Sequence, residues 1–519
     1  MTSLAAFTLF AVPLLPFVAG CLPRLLRAKS AVSLTIAAAL SACVAAIVSA
    51  VLLTTHGHIT TLGAGPNLHG AWAVSLRLDE VSAVMLVLVS FVGASVMSFS
   101  RNHLGNDAEA PRFFSWLSNT LAAVLLLVSA GHLLLLWVAW VATSLCLHQL
   151  LLFYPTRAGA VFSARKKFVI SRMGDLCLLA AIVLLQEQYN TFDVTQMFAA
   201  VDAGQTQGLS LPCALIAACA ALKSAQFPFH GWLPDTMETP TPVSAFMHAG
   251  IINAGGFLVI RLSPLFVHAP HVLSVLALVG AVTAGFGAVV MLAQPSVKRA
   301  LAYSTIAQMG FMLLQCGLGA FALATVHIVA HSLYKAHAFL TAGSTIGAVP
   351  RKAAPLRTGA LVLGLATAAA TFVAHTTALN TLGAHLELGV LGLVFVLAMG
   401  YGLARLWSVQ PKAVLLGLAT TQVFCLLGLG LHAGAQRFFV HTPHLTPSTT
   451  VITVVGALFA GLFLFQTLLW RMGHRKLGQR LYVHALNGFY VGTLGNRLLG
   501  RLWPPQHSNA QPPLPVAVA

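Results

Sequence analysis

The feature that most constrains this chain is its series of apolar stretches, about fifteen in number, each long enough to cross a bilayer as a helix of about twenty residues. They begin near Leu4, Val32, Val81, Phe114, Leu133, Phe168, Leu211, Val243, Val272, Ala300, Phe321, Leu361, Leu388, Val414 and Val451. Hydrophobic residues make up 58% of the sequence and charged residues 8%, which is too little polar side chain to cover a soluble protein. A β-barrel would alternate apolar and polar residues in short segments, and this chain does not. We therefore predict an all-α, polytopic membrane protein with about 14 or 15 transmembrane helices.

Basic residues are distributed unevenly between the loops that such helices would create. If the amino terminus lies outside, most of the 28 Lys and Arg residues fall on the cytoplasmic side, as the positive-inside rule requires. The run Arg157, Arg165, Lys166, Lys167 and Arg172 is assigned to one such cytoplasmic loop. We predict an inner-membrane protein with an outer N-terminus and a cytoplasmic C-terminus. The net charge of +17 is scattered over short loops, so no nucleic-acid surface is predicted.

The chain divides into a long membrane bundle and a short tail. Residues 1–472 contain no long linker and are predicted to form one bundle embedded in the lipid bilayer. Residues 473–503 mix basic and apolar side chains at near-helical spacing, which is typical of a cytoplasmic segment that lies in lipid headgroups or docks a partner. Residues 504–519 are proline-rich and predicted to be disordered.

The stretch KSAQFPFHGWLPDTMETPTPVSAFMH places Lys223 inside apolar sequence and interrupts the helix soon afterwards with Pro228 and Pro234. A charged side chain near the bilayer centre costs about 2.5–3.5 kcal/mol on the milder scales, so it usually marks an ion route. A structural lysine, snorkelling or ion-paired, is the alternative. Asp235 and Glu238 lie in the interruption and are interpreted either as loop caps or as counter-ions of Lys223.

A second group of ionisable residues follows in TVHIVAHSLYKAHAF, where His327, His331 and Lys335 recur every four residues and so share one helix face. Three titratable groups in register within one span favour a proton relay. His248 follows the interruption and is interpreted either as a bridge between the two regions or as a structural hydrogen-bonding residue.

Further candidates tune or replace these groups. Arg172 and Asp175 stand three residues apart at a helix start, where they predict an ion pair that is structural or that tunes Lys223. His148 is a single histidine in an apolar segment. The eight cysteines include no CxxC pair, and the sequence has no nucleotide loop, catalytic triad or zinc ligand set. We predict a non-enzymatic, ion-conducting subunit without a cofactor of its own.

At these residues the sequence resembles the proton-translocating, antiporter-like subunits shared by respiratory complex I and the Mrp antiporters. The resemblance implies two inverted five-helix repeats containing broken helices, and a proton pathway through the matching Lys223, His248, His327, His331 and Lys335. The matching motifs are SRMGDL and the segments Lys223–Gly250, Val297–Met312 and His327–Ser344.

One departure from that family concerns the acid that pairs with the broken-helix lysine. Complex I-type members carry a glutamate after a tryptophan, whereas here Val141 follows Trp140. A valine cannot offset the charge of Lys223, so another group must replace the glutamate. The candidates are Asp175, Glu238 and His148.

The phrases HAGIINAGGFLVIR and LYVHALNGFYV are similar to one branch, the membrane subunits of bacterial inorganic carbon transporters of the DabB type. That resemblance implies a large cytoplasmic, β-carbonic-anhydrase-like zinc partner of the DabA type. Downhill flow of protons or Na+ would drive CO2 hydration and bicarbonate accumulation there, with zinc on the partner. A subunit of a complex I-like or Mrp cation/proton antiporter, and a simple membrane anchor for a partner, are the alternatives.

Overall fold

The computed structural model of this chain describes most of its length. The described residues are 2–22, 28–56, 60–64, 74–104, 107–345, 356–382, 388–439, 442–443, 445–472 and 475–503. The tail predicted to be disordered, residues 504–519, lies outside them, so that prediction remains untested.

The described chain is almost entirely helical. Two short strands, β1 (Thr60–Ala64) and β2 (Val74–Leu78), form an antiparallel pair in which Thr60 lies opposite Leu78. The helices are α1 (Thr2–Cys21), α2 (Ala28–His56), α3 (Glu80–His103), α4 (Ala110–Ser129), α5 (Leu133–Leu151), α6 (Ala158–Tyr189), α7 (Val194–Asp202), α8 (Ser210–Lys223), α9 (Trp232–Asp235), α10 (Thr241–Phe246), α11 (Ala254–Arg261), α12 (Ser263–Phe266), α13 (Pro270–Ala293), α14 (Val297–Gly317), α15 (Phe321–Leu340), α16 (Thr358–Thr381), α17 (Gly389–Val409), α18 (Val414–Phe438), α19 (Thr449–Met472), α20 (Lys476–Leu486) and α21 (Val491–Leu502).

The all-α, polytopic membrane fold predicted from the sequence is confirmed. Twelve helical segments of the described chain are long and apolar enough to cross a membrane. The three other predicted spans coincide with α8, α14 and α15. Helix α8 has only 14 residues because the chain is interrupted after Lys223. Helices α14 and α15 are full-length but carry the glutamine, histidine and lysine side chains of the candidate site, which lower their hydropathy.

The interrupted region consists of short turns that replace a continuous helix. After α8, the chain forms 3-10 turns at Phe229–Gly231 and Thr236–Glu238 around the short helix α9. Helices α10 and α11 follow, separated by a π-helical turn at Met247–Ile251. The whole span Thr241–Arg261 is enclosed by other helices. The segment that carries His248 is therefore the centre of the bundle.

Hydrophobic packing is continuous around that centre and divided elsewhere. One cluster of buried side chains joins helices α1 to α15, whereas residues of α16 to α19 belong mainly to three smaller clusters.

Helices α16 to α19 each run without interruption over the bounds given above. Among the described helices, the break that the family resemblance implies is thus observed in the first half of the chain.

A buried carboxylate fastens three elements at one end of the bundle. Asp79 caps α3 by accepting a 2.8 Å hydrogen bond from the backbone of Ser82, and it accepts a 2.9 Å bond from Arg77 Nε. Arg261, the last residue of α11, donates to the same carboxylate and bonds the Val128 carbonyl of α4 at 3.0 Å. Burial alone would raise the Asp79 pKa, but the two guanidinium groups outweigh it and hold that pKa well below its usual range.

The basic C-terminal segment forms α20 and α21, which dock against the opposite end of the bundle. Asn496 of α21 accepts a 2.6 Å hydrogen bond from Lys166 Nζ, and Gln294 Nε2 donates to the Leu486 carbonyl of α20 at 3.1 Å. The guanidinium of Arg165 lies 5.0 Å from the centre of the Trp503 ring. The inner face of this segment therefore contacts its own bundle, while its outer face remains the surface predicted for lipid headgroups or a partner.

We expect Gly310→Ala to destabilise the protein, because α13 and α14 cross there in close contact. A Cβ at Gly310 would lie 2.5 Å from Ala284 N and 2.7 Å from the Gly280 carbonyl oxygen. Overpacking of this kind costs about 1–3 kcal/mol, so the midpoint of thermal unfolding in detergent should fall. Gly461→Ala in α19 is the control, because nothing lies within 4 Å of its added methyl group. Equal midpoints for the two variants would contradict this packing.

Asp79→Asn should also destabilise the protein, since it leaves the buried charge of Arg261 without its carboxylate. Breaking a buried ion pair in this way costs about 3–5 kcal/mol. The stabilising effect of a carboxylate with a lowered pKa is present above its unfolded value of about 3.9 and is lost only as pH falls through the folded value. The loss on mutation should therefore be the same from about pH 5 to 8.

The matched control for that measurement is Glu109→Gln. Glu109 pairs with Arg112 at 3.4 Å, but both side chains are about half exposed, and exposed pairs contribute little. A drop in unfolding temperature as large as that of Asp79→Asn would show that loss of charge in general, and not burial, causes the effect.

Candidate functional site

Lys223 is buried at the point where its helix ends. It is the last residue of α8, and the chain turns away two residues later, where Ala225 adopts a left-handed conformation with φ of 50°. Its side chain is enclosed, with Lys223 Nζ 4.7 Å from the centre of the Trp140 ring on α5. Among the described residues this ammonium has no hydrogen-bond partner. The sequence prediction of an intramembrane lysine beside a helix break agrees with this placement.

Asp175 is the carboxylate that faces Lys223. It lies on α6, interacts electrostatically with Lys223 and approaches Arg172 to 2.6 Å, which confirms the predicted ion pair. That pair is electrostatic, because its geometry does not satisfy the angles of a hydrogen bond. Trp137 Nε1 donates to the Asp175 backbone carbonyl at 2.9 Å and fixes the helix position. Of the groups considered for the missing glutamate, Asp175 is the one placed to offset the lysine charge.

The sequence interpretation that put Arg165, Lys166, Lys167 and Arg172 in a cytoplasmic loop is wrong, because all four lie within α6. Helix α6 begins at Ala158 and both lysines lie within it, buried. Lys167 Nζ donates to the backbone carbonyl of Ser144 at 2.6 Å and to its hydroxyl at 2.9 Å. We call Lys167, Arg172, Asp175 and Lys223, with Trp140 and Ser144 beside them, the lysine cluster.

The remaining candidates near the break have other partners. Asp235 binds Lys166 at 2.8 Å, and Glu238 lies 3.9 Å from Arg157 in a half-exposed pair. The interpretation of either acid as the counter-ion of Lys223 is therefore replaced by these pairs. His148 lies on α5, one turn beyond Ser144, with its ring 5.3 Å from that of Phe168.

The histidine cluster lies around the π-helical turn. His248 Nδ1 is 2.9 Å from the hydroxyl of Thr305 on α14, and its ring stacks on Phe339 of α15 at 4.4 Å. His331 is buried nearby and interacts electrostatically with His248, His327 and Lys335. Within the described ranges, Nε2 of His248 and Nε2 of His331 have no hydrogen-bond partner. His248 thus contacts α14 through Thr305 and α15 through Phe339, which fits both sequence interpretations, the bridge and the structural hydrogen bond.

Lys335 and His327 lie on either side of His331 along α15. Lys335 is completely buried, and its Nζ donates to the Leu301 carbonyl of α14 at 3.0 Å. The His327 ring lies 6.1 Å from that of His331. Its two ring nitrogens meet side-chain amides of α14, at 2.7 Å for Gln315 and 2.9 Å for Gln308. Because an amide can accept or donate, this pair of contacts suits either protonation state of the histidine.

Neutral polar residues that the sequence reasoning missed stand between the two clusters. Ser224, the residue after Lys223, donates a hydrogen bond to the Ile252 carbonyl at 3.2 Å. Asn253 donates a hydrogen bond at 2.8 Å to the hydroxyl of Ser332, the residue after His331. The available signal was an asparagine within the apolar run HAGIINAGGF. Gly255 permits the approach of α11 to α8, since a Cβ there would collide with Ser224 and the Ala220 carbonyl.

The two clusters form a polar interior in an otherwise apolar bundle. Ionisable side chains of α6, α8, α10–α11 and α15 are enclosed, and several have an unused donor or acceptor in the part of the chain that is described. Buried polar groups are normally satisfied, so these open positions are where a water molecule or a mobile proton would be received. The arrangement is chemically suited to moving protons.

Comparison with known proteins identifies the family of this chain. Residues 130–418 match the family described as NADH:quinone oxidoreductase/Mrp antiporter, TM. Residues 71–114 match the family described as NADH-Ubiquinone oxidoreductase (complex I), chain 5 N-terminus. The first of these matches covers more than half of the chain, including both clusters.

Individual relatives and structures are also similar. The chain is 37% identical over 465 residues to the probable inorganic carbon transporter subunit DabB2 of Halothiobacillus neapolitanus, covering 85% of this chain and 83% of that protein. It is 42% identical over 283 residues to the probable inorganic carbon transporter subunit DabB of Hydrogenovibrio crunogenus, covering 54% of each. The Mrp complex of Dietzia sp. DQ12-45-1b contains a chain of similar fold, with a TM-score of 0.58, 23% identity and coverage of 97% of this chain and 58% of that chain. The chain therefore belongs to the NADH:quinone oxidoreductase/Mrp antiporter family, in the branch of the DabB inorganic carbon transporter subunits.

Proposed function

We propose that this protein is the membrane subunit of an inorganic carbon pump and that it conducts protons, or Na+ in their place, from outside to the cytoplasm. The observation that carries the proposal is the enclosure of two clusters of ionisable side chains, one around Lys223 and one around His248, in the centre of the bundle. Such residues are costly in a membrane and are kept where ions move. In this proposal the chain conducts ions, and the chemistry takes place on a partner subunit.

The chemistry of each cluster supports proton transfer. A lysine ammonium has three donors, yet Lys335 uses one, to the Leu301 carbonyl, and Lys223 has the Trp140 ring and the Asp175 charge instead of a hydrogen bond. An ammonium group with unfilled hydrogen-bond positions loses or gains a proton at a lower free-energy cost than one held in a full ion pair. Ser224 and Asn253 are positioned between the clusters and provide polar surface along the way.

The partner and the orientation belong to the same proposal. The similar DabB proteins are called probable inorganic carbon transporter subunits, which supports the presence of a further subunit. Following the family resemblance, we propose that this partner is a cytoplasmic, β-carbonic-anhydrase-like zinc subunit of the DabA type and the site of CO2 hydration. The basic loops support an outer N-terminus and a cytoplasmic C-terminus in the inner membrane. In this orientation α20 and α21 lie on the cytoplasmic side, where the partner would bind.

Lys223→Ala should abolish conduction while leaving the fold intact, because it removes the proton-carrying group beside Asp175. In proteoliposomes with an imposed pH gradient, the initial proton flux should fall by at least about tenfold, or about 1.4 kcal/mol in barrier height. Carbon accumulation by cells carrying the variant should fall with it. Lys412→Ala, at an exposed loop lysine, is the control and should conduct normally. Normal flux through Lys223→Ala would refute this pathway.

A second function, a cation/proton antiporter or complex I-like subunit, is favoured by the wording of both matched families. Purification of the full chain from its native membrane separates the two. One large zinc-containing protein in stoichiometric amount is the result expected for the carbon pump. An array of respiratory or antiporter subunits would replace it with the second function. A membrane anchor alone would be indicated if substitutions at His327, His331 and Lys335 left carbon accumulation unchanged.

A further inference from the structure

We propose that Lys167 is a second proton-carrying lysine, which exchanges its proton with Lys223 by way of Asp175 and so forms the cytoplasmic end of the lysine cluster. This inference rests on the proposed function and extends it to a residue that the sequence analysis placed in a loop. It concerns a group inside the bundle that the pathway described so far does not use.

Lys167 is buried away from water, and Ser144 provides hydrogen-bond acceptors for its charged group. Its side chain is 2% exposed, and its ammonium is held by the carbonyl and the hydroxyl of Ser144. Ser144 lies one helical turn beyond Trp140, so the same face of α5 presents the indole to Lys223 and the serine to Lys167. The two lysines thus lie against neighbouring positions of one helix.

The charges in this cluster are unbalanced. Lys167 interacts electrostatically with Lys223, Arg172, Asp175 and Cys146, and His148 lies near enough to interact with it as well. Lys167, Lys223 and Arg172 are cationic in their ordinary state, and only Asp175 is an ordinary anion. An arginine stays protonated in proteins, so the shortage of negative charge falls on the two lysines. In an interior of low dielectric their mutual repulsion is large, and a proton on one disfavours a proton on the other.

That repulsion supplies the transfer step. Neither lysine is hydrogen-bonded to Asp175 among the described residues, so a water molecule on each side of the carboxylate carries the proton. An N–H bond of the Lys223 ammonium breaks as an O–H bond forms on the first water, which releases another of its protons to Asp175. The O–H bond of Asp175 then breaks, and through the second water an N–H bond forms on neutral Lys167. The proton count is unchanged, Lys223 ends neutral and Lys167 ends charged, with its acceptors on Ser144 already in place. A new proton reaching Lys223 then repels the one on Lys167 toward the end of the bundle.

The surroundings of Lys167 give this transfer a direction. The adjacent Lys166 points to the other side of α6, where it binds Asp235 of the interrupted segment and Asn496 of α21. Lys167 is therefore the member of the cluster nearest to the end where the C-terminal helices dock. His148, one turn beyond Ser144 on α5, is the next titratable group on that route.

Lys167→Arg tests the inference, because arginine keeps the positive charge and can still donate to Ser144 but cannot release its proton. Proton flux through the full-length protein in proteoliposomes should fall by at least about tenfold, the lower range of what a positioned proton-transfer group contributes. Lys412→Arg, at an exposed position, should conduct as the wild type does. A merely structural charge would be replaced by arginine, so wild-type flux in Lys167→Arg would overturn the inference.

A second variant covers the case in which arginine does not fit. Ser144→Ala removes one of the two acceptors of Lys167 and makes a proton there less favourable, so the pH of half-maximal flux should move to a lower value. An unchanged pH profile in a folded Ser144→Ala protein would count against a titrating Lys167. Unfolding temperature in detergent establishes that each variant is folded.

The Lys223→Ala measurement in the same assay separates the two proposals. If Lys223→Ala conducts normally, the proposed function itself fails. If Lys223→Ala is inactive while Lys167→Arg and Ser144→Ala behave as the wild type, the pathway stands and only the role of Lys167 is refuted.

Discussion

The structure depends on the cost of keeping ionisable side chains in an apolar interior. A charge removed from water must be met by an acceptor, an opposite charge or an aromatic face, and in a bilayer that partner must come from another helix. Lys335 donates to the Leu301 carbonyl of α14, and Lys167 donates to Ser144 of α5. Lys223 lies against the ring of Trp140. These cross-helix requirements fix the register of α5, α6, α8, α14 and α15.

Fixed ends and an incompletely satisfied middle follow from the same requirement. At one end, Asp79 holds Arg261 and so fastens the last turn of α11 to α3. At the other, Lys166 ties Asp235 of the interrupted segment to α21. Between them, the π-helical turn presents His248, one ring nitrogen of which has no partner in the described chain. A bundle held at both ends can keep a polar centre without losing its packing, which is what a proton-conducting subunit of this family needs.

Sequence reasoning predicted the ionisable residues better than their partners. The four-residue spacing of His327, His331 and Lys335 was sufficient to predict that they share one helix face, because helix periodicity does not depend on the neighbouring helices. The Arg172–Asp175 pair was predictable for the same local reason. The pairing of Asp235 with Lys166 joins positions far apart in the chain, which local spacing does not encode. Lys166 and Lys167 were misassigned because α6 has 32 residues, many more than a bilayer requires, and a basic run at its start resembles a loop.

What the sequence by itself determined is the class of protein, the set of spanning segments, the broken segment after Lys223 and the family, because composition, periodicity and motif order are local properties of the chain. What only the tertiary structure decided is which groups lie together: Asp175 within electrostatic range of Lys223, Thr305 at His248, the glutamines at His327 and Ser144 at Lys167. The physical reason is that the partner of a buried charge is selected by the packing of separate helices, and that packing is fixed by small residues such as Gly255 and Gly310 whose effect on distance appears only when the helices are assembled.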